Sequence, residues 1–362
     1  MKIGIISMQR VPNYGSFLQA YGLKQMVEKL GHEVVFIDYK EGAPIVSYDR
    51  SARLKYKILN IPFLKKANDW TKYYVLGKEK FDYKYRLTFL KKLGIGYKKN
   101  SKAVVDIAIV GSDEVFNCLQ EGFNVGFSPM LFGQKINAKK VISYAASFGY
   151  TELEKLRSYG IQNIIAGYLK SLSSISVRDE NSRLIVEQLI GKIPEVHLDP
   201  VLVADYNVPE IDIPYRDFVI LYTYKSRHYT EEDKENIQCF CKNNGKKLIS
   251  IGAVQDWIEH CVEADPFELL AYFKAADFVI TDTFHGSVLS IKYNKPFAVM
   301  IRDNNKHKLD DLIQRLDKKE RILKSFINLQ EVYDEPIDYS KTNAIIEREI
   351  AHSIDYLRSN IA

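Results

Sequence analysis

The residue types that move protons and hold anions gather in one stretch. Phe278-Val279-Ile280-Thr281 is apolar and runs into Asp282-Thr283-Phe284-His285-Gly286, and a helix-like segment follows from Ser287 to Tyr293. The pattern predicts a strand turning into a helix, with His285 at the helix N-terminus and at the carboxyl edge of a sheet. Open α/β sheets bind ligands at that edge. Helix N-termini favour anions. A histidine there can exchange a proton beside a phosphate or carboxylate near neutral pH.

Three further strand-ends are polar: Asn13-Tyr14-Gly15-Ser16, Gly111-Ser112-Asp113-Glu114 and Ser176-Val177-Arg178-Asp179. Strand-ends of a parallel sheet share one edge, so these segments can converge on one ligand. Arg178 suits an oxyanion clamp, because guanidinium pairs bidentately with phosphate or carboxylate; it equally suits a salt bridge with Asp179 or another acid. His285 reads either as an acid/base or as a capping or core histidine. Asp282 either orients His285, binds a hydroxyl or caps a helix. Asp113 and Glu114 form an acidic pair that capping also explains. Arg302, after the next strand, faces the ligand or is a solvated loop charge. His197 and Asp199 lie near the domain junction as structural hydrogen-bonding groups. His32, His228, His260, His307 and His352 read as surface or packing residues.

The elements that must hold these residues alternate strand and helix. Ile3–Ser7 reads as a strand, Ser16 as the cap of the helix beyond it, Gly31 as that helix's stop and Glu33–Tyr39 as a second strand. Such a unit makes a right-handed crossover between parallel strands. Strands follow at Val104–Val110, Val141–Ala145 and Ser174–Val177, with helices over Thr151–Leu169 and Glu180–Ile190. Pro200, Pro209 and Pro214 mark a connection. A second series runs through Phe218–Tyr222, Thr230–Asn243, Lys247–Ile251, Pro266–Ala275, Asp277–Thr281 and Phe297–Ile301, and a tail helix occupies Asn343–Ile361. The expectation is two doubly wound α/β domains facing a cleft. The first is 1–205 with an insert at about 41–102, the second is 206–330, and a helical tail covers 331–362.

The 362 residues carry a net charge of +5, unevenly spread. Between Arg50 and Lys99 stand fifteen Lys and Arg against Asp69, Glu79 and Asp82, an excess of twelve, so the rest of the chain stands at −7. The same stretch holds Trp70, Tyr73, Tyr74 and other aromatics. Basic and aromatic together suit an anionic membrane surface. They also suit a solvated helical region whose rings pack inward. Nucleic acid is not expected, because no nucleic-acid motif accompanies the patch. No apolar run is long enough to span a bilayer. Cys118, Cys239, Cys241 and Cys261 form no Cys-x-x-Cys pair, which argues for reduced thiols in a cytoplasmic setting and against zinc. Neither a Gly-x-Gly-x-x-Gly fingerprint nor a Gly-x-x-x-x-Gly-Lys loop occurs, which argues against dinucleotide oxidoreduction and nucleotide hydrolysis.

Taken in order, these segments resemble the polysaccharide pyruvyl transferase family. The matching runs are Asn13 to Tyr21, Gly111 to Asn117, Ser143 to Gly149, Ser176 to Asp179, Asp199 to Leu202 and Thr281 to Gly286. The resemblance implies a GT-B-like pair of Rossmann-like domains. It implies transfer of a pyruvyl group from phosphoenolpyruvate to two hydroxyls of a sugar, giving a cyclic ketal and phosphate. The acceptor would be a surface polysaccharide or its lipid-linked precursor. No cofactor and no metal is expected.

The resemblance implicates His285 in catalysis and Arg178 in holding the donor. The residues themselves suggest Asp282 beside His285, with Gly286, Ser287 and Arg302 added to donor binding, and acceptor binding by Asn13, Tyr14, Gly15, Ser112 and Asp113. Several members carry Arg-Leu where this chain has Thr283-Phe284, so another cation must serve here, and Arg302 is the candidate. Two alternatives stand: a sugar-nucleotide-dependent glycosyltransferase of similar architecture, and a non-catalytic, membrane-associated protein of polysaccharide assembly. The expected location is the cytoplasm, peripheral to the inner face of the membrane.

Overall fold

The computed structural model describes residues 1–46, 85–96, 98–120 and 125–362. Most of the basic aromatic insert, including Lys65 and Lys66, lies outside the described residues. The chain forms two compact units. One comprises Met1–Arg178 and Ser182–Glu195 with Ile361, and the other Asp179–Asn181 and Val196–Asn360 with Ala362.

The first unit is built on a parallel sheet. Its strands are β1 (Lys2–Ile6), β2 (Glu33–Phe36), β3 (Val104–Asp113), β4 (Asn137–Ala146), β5 (Ser176–Val177) and β6 (Glu195–Val196), in the order β2-β1-β3-β4-β5-β6. The register pairs Ile3 with Ile107 and Ile5 with Ile109, and Val110 with Ser143. Ile3, Ile5, Ile109 and Val110 are fully buried, each contributing roughly 1.5–3 kcal/mol of apolar burial. A near-continuous apolar run is what a sheet covered on both faces requires. The order reverses direction between β1 and β3, so right-handed crossovers send helices to both faces.

Helix α1 (Tyr14–Lys29) follows β1. Its cap is Asn13, not Ser16 as the sequence suggested. Asn13 has an extended backbone, and its side chain accepts from the N–H groups of Gly15 and Ser16. Ser16 therefore sits inside the first turn, and its hydroxyl is turned elsewhere. The single helix expected over 151–169 is two, α2 (Leu153–Ser158) and α3 (Gln162–Lys170). Gly160, at φ +66°, breaks them apart; that left-handed conformation ends a helix and suits glycine.

The second unit carries β7 (Phe218–Tyr222), α4 (Glu231–Asn243), β8 (Lys247–Ile251), β9 (His260–Val262), α5 (Pro266–Ala275) and β10 (Phe278–Thr281). It continues through α6 (Phe284–Lys292), β11 (Phe297–Met300), α7 (Lys306–Arg315), β12 (Ile322–Leu323) and α8 (Ser340–Ile361). The sheet is parallel, with the order β12-β11-β10-β7-β8-β9. Read from β9, it is the Rossmann order, whose reversal lies between β7 and β10. Thr230 and Asp233 cap α4 reciprocally, and Asp265 and Glu268 do the same for α5; such boxes satisfy helix-end donors. Behind the sheet, Val219, Leu221, Phe278 and Ile280 pack with Ile237, Phe240 and Phe326. Two doubly wound Rossmann-like units in one chain is the architecture expected from the sequence.

Candidate active site

The reversal in the second sheet places the ends of β7 and β10 side by side. Thr223 leaves β7 and Asp282 leaves β10, and the Thr223 hydroxyl donates to Asp282 Oδ1 at 2.8 Å. The other oxygen, Oδ2, faces two guanidinium groups. Nε of Arg302 lies 2.9 Å from it and Nε of Arg227 lies 3.0 Å from it. Asp282 is 1% exposed. A buried carboxylate is tolerated only when paired and hydrogen-bonded, and these three partners provide that. Asn305 ties the loop down. Its side-chain N–H donates to the Asp282 carbonyl at 2.6 Å, and its side-chain oxygen accepts from the Arg302 N–H at 2.9 Å.

Tyrosines frame the guanidinium groups. Arg227 lies over the ring of Tyr224 and Arg302 over that of Tyr229, arrangements in which the ring face attracts the cation. Burial, and secondarily the Asp282 charge, pushes the Tyr229 hydroxyl well above its ordinary range, so it stays protonated.

The turn into α6 explains its own sequence. Thr283 has an extended backbone, and its side chain accepts from the Gly286 N–H, capping the helix. The cap is thus Thr283, which releases Asp282 for the arginines. A Cβ on Gly286 would stand 2.1 Å from Thr281 Oγ1 and 2.8 Å from Thr283 Oγ1, so only glycine fits there. Ser287 is fully buried, and its hydroxyl donates to the Thr283 carbonyl.

His285 is the second residue of α6 and is 5% exposed. Its ring meets Phe284 edge-on, with centroids 5.2 Å apart. Nε2 lies 3.6 Å from Asp199 Oδ2 and makes no hydrogen bond. The carboxylate facing His285 is therefore that of Asp199; Asp282 is engaged with Arg227, Arg302 and Thr223. Asp199 Oδ1 accepts from the Val201 N–H at 2.9 Å, which caps the one-turn helix Pro200–Val203. This fixes the carboxylate while Oδ2 faces the imidazole.

In the first unit the reversal point lies between β1 and β3. Asp113, at the end of β3, has φ +78°, a conformation costing about 1–3 kcal/mol for a non-glycine residue and concentrated at functional sites. Its Oδ2 accepts from the Ser16 hydroxyl at 2.9 Å. Its Oδ1 lies 3.7 Å from Nη1 of Arg178, whose side chain is 3% exposed. Asp113 is thus one acid that faces Arg178. Asn13 spends its side-chain oxygen on the cap, with Tyr14 and Gly15 in the first turn behind it. Ser112 donates its hydroxyl to the Ala145 carbonyl at 2.8 Å. Of the residues expected here, Asp113 and Arg178 come together, joined by Ser16.

Arg227, Thr223 and Asn305 are residues of this site that the sequence did not single out, and Asp199 read there as a structural hydrogen-bonding group. For Arg227 a signal exists: Lys225-Ser226-Arg227-His228 is a basic run directly after a buried strand. For Asp199 it lies in Asp199-Pro200, a capping acid before a proline at the first helical position.

Residues 13–304 match the family described as Polysaccharide pyruvyl transferase. No curated protein matches. Among solved structures, the chain is similar to UDP-GlcNAc 2-epimerase of Methanocaldococcus jannaschii in complex with UDP-GlcNAc and UDP, at 13% identity and TM-score 0.46 over 96% of this chain and 99% of that one. It is similar to MnaA of S. aureus with UDP at 11% identity and TM-score 0.49, over 98% and 90%. The fold assignment rests on the two sheets themselves.

Proposed function

The chain belongs to the polysaccharide pyruvyl transferase family, and from that premise we propose that it moves the pyruvyl group of phosphoenolpyruvate onto two hydroxyls of one sugar, with His285 as acid/base. It is a pyruvyl transferase with an anionic donor and a sugar acceptor. The finer reading is that the acceptor is a surface polysaccharide or its lipid-linked precursor. The observation that carries the proton chemistry is the buried Nε2 of His285, 3.6 Å from Asp199 Oδ2 and without a hydrogen bond.

The reaction sets what the residues must do. The donor's methylene carbon gains a proton and becomes a methyl. One sugar hydroxyl forms a C–O bond to the central carbon, and a second hydroxyl does the same as the C–O bond to phosphate breaks. Of the two hydroxyl protons, one is balanced by the new C–H bond and the other leaves on phosphate. His285 relays these protons, a role worth roughly 10²–10⁴-fold. Asp199 is the carboxylate that faces the ring in this reading. The donor carries a carboxylate and a phosphate, so its binding calls on guanidinium groups and on the start of α6. In the second unit Arg302 is a donor cation in this reading, and in the first Arg178, Asp113 and Ser16 offer charged and polar groups at the edge of their own sheet.

The test offers phosphoenolpyruvate and, separately, nucleotide sugars to the protein with a panel of lipid-linked sugars, and measures phosphate release. Release from phosphoenolpyruvate that depends on the acceptor supports the reading. Consumption of nucleotide sugars instead would make the protein a glycosyltransferase. Turnover of no donor, with vesicle binding that survives His285→Ala, would make it a non-catalytic assembly protein. No helix among the described residues is long and apolar enough to cross a membrane. A cytoplasmic protein touching the membrane face through its basic insert accords with a lipid-linked acceptor.

A further inference from the structure

We propose that Arg227 and Arg302 together form a single oxyanion seat for the donor, held open by Asp282. The inference rests on the pyruvyl-transfer reading only for the identity of the donor.

Three observations carry it. Arg302 donates its Nε–H to Asp282 Oδ2 at 2.9 Å, and Arg227 Nε lies 3.0 Å from the same oxygen as an ion pair. Arg302, anchored through its Nε edge, keeps its terminal nitrogens for another acceptor, and a second guanidinium paired with the same carboxylate oxygen puts two cations beside one oxyanion position. Arg302 Nη2 is buried and makes no hydrogen bond; leaving such a charged donor unsatisfied is costly, and an oxyanion would satisfy it. Finally, the anchor is overdetermined. Thr223 holds its other oxygen, Asn305 holds its carbonyl, and Asn305 also holds the Arg302 backbone. The pair is therefore set by loops after β7, β10 and β11, and the turn bearing Asp282 also delivers His285. Asp282 is a positioning residue, acting through the arginines.

Binding of inorganic phosphate and of pyruvate to the full chain, by calorimetry, tests the seat and tells which of the donor's two anionic ends it takes. Arg227→Gln and Arg302→Gln should each weaken the same one of the two probes at least tenfold, measured below the melting transition of each variant with its circular dichroism spectrum unchanged. Asp282→Asn, which keeps the shape and drops the charge, should weaken that probe too and raise the donor KM more than it lowers kcat, a split that a merely structural role would not produce. Arg227→Lys should recover part of the loss. Unchanged binding of both probes in both glutamine variants overturns the seat, as does a wild-type protein that binds neither probe. Phosphate binding needs no turnover, so the two readings fail separately. A seat confirmed in a protein that releases no phosphate from phosphoenolpyruvate would leave the seat and remove the reaction.

Discussion

Asp199 Oδ2 faces His285 Nε2 at 3.6 Å, and the other Asp199 oxygen is held by the Val201 N–H. One carboxylate thus caps a short helix and faces an imidazole. His285→Ala should lower phosphate release roughly 10²–10⁴-fold with an unchanged circular dichroism spectrum and melting temperature. Asp199→Asn keeps an acceptor for the cap, so the fold should survive, and its rate should fall between those of His285→Ala and the wild type. A fully active Asp199→Asn would remove Asp199 from the mechanism.

Gly286 tests the geometry rather than the chemistry. Its missing Cβ would collide with Thr281 and Thr283, both of which are buried and hydrogen-bonded into the turn. Gly286→Ala must push the start of α6 outward and carry His285 with it. Misplacement by about 1 Å costs on the order of 10²-fold in rate. The variant should lose that much turnover while retaining its secondary structure, and normal turnover would show that the turn yields freely.

Two groups in the second unit make stability depend on pH in opposite senses. Burial, then the nearby Asp179 charge, raises the Asp311 carboxyl from 3.8 to about 6. The folded state therefore binds this proton more tightly. The stability it contributes is complete below pH 3.8 and lost as pH rises through 6, a cost of about 3 kcal/mol at pH 7. Burial, then the neighbouring His352 and Arg315, lowers His197 from 6.5 to about 3. Its contribution is whole above pH 6.5 and lost as pH falls, by about 3 kcal/mol at pH 4.5. In urea melts, Asp311→Asn should be more stable at pH 7 and lose stability more steeply on acidification. His197→Gln should flatten the acid limb. Parallel pH profiles for wild type and variants would contradict both assignments.

The charge excess between Arg50 and Lys99 predicts attraction to anionic lipid. Lys91 and Lys92 are exposed at its described end. Neutralising Lys65, Lys66, Lys91 and Lys92 together should weaken binding to vesicles containing phosphatidylglycerol, at about 1 kcal/mol per lysine near the surface, and the wild-type binding should weaken with salt. Sedimentation with vesicles measures both. Equal binding by the variant would exclude a membrane role for these lysines.

Local signals were enough for much of the fold. Phe218–Tyr222, Lys247–Ile251 and Pro266–Ala275 have the ends expected of them, because apolar runs, the Asp265–Glu268 box and a first-position proline agree there. β9 and β12 escaped, since strands of three and two residues carry too little alternation. Helix α7 escaped because charged residues dominate its composition. The helix-start position of His285 was legible from its own turn. The partners of that turn were not. Arg227 and Asp199 reach Asp282 and His285 only through the pairing of distant strands and the packing of their loops, which a single sequence does not reveal. Capping was misjudged at Ser16 for a related reason: Asn13 and Ser16 are both good caps, and the choice was made by Asp113, which takes the serine hydroxyl from the far side of β3.

The partnership of Asp282 with two loops far apart in the chain has an evolutionary corollary. In the proposed site, charge for gripping the donor comes from one set of loops, and the proton-handling ring from the first turn of a helix. Substitutions at 227 or 302 can therefore retune how tightly the donor is gripped, or which of its ends is gripped, while that ring stays where it is.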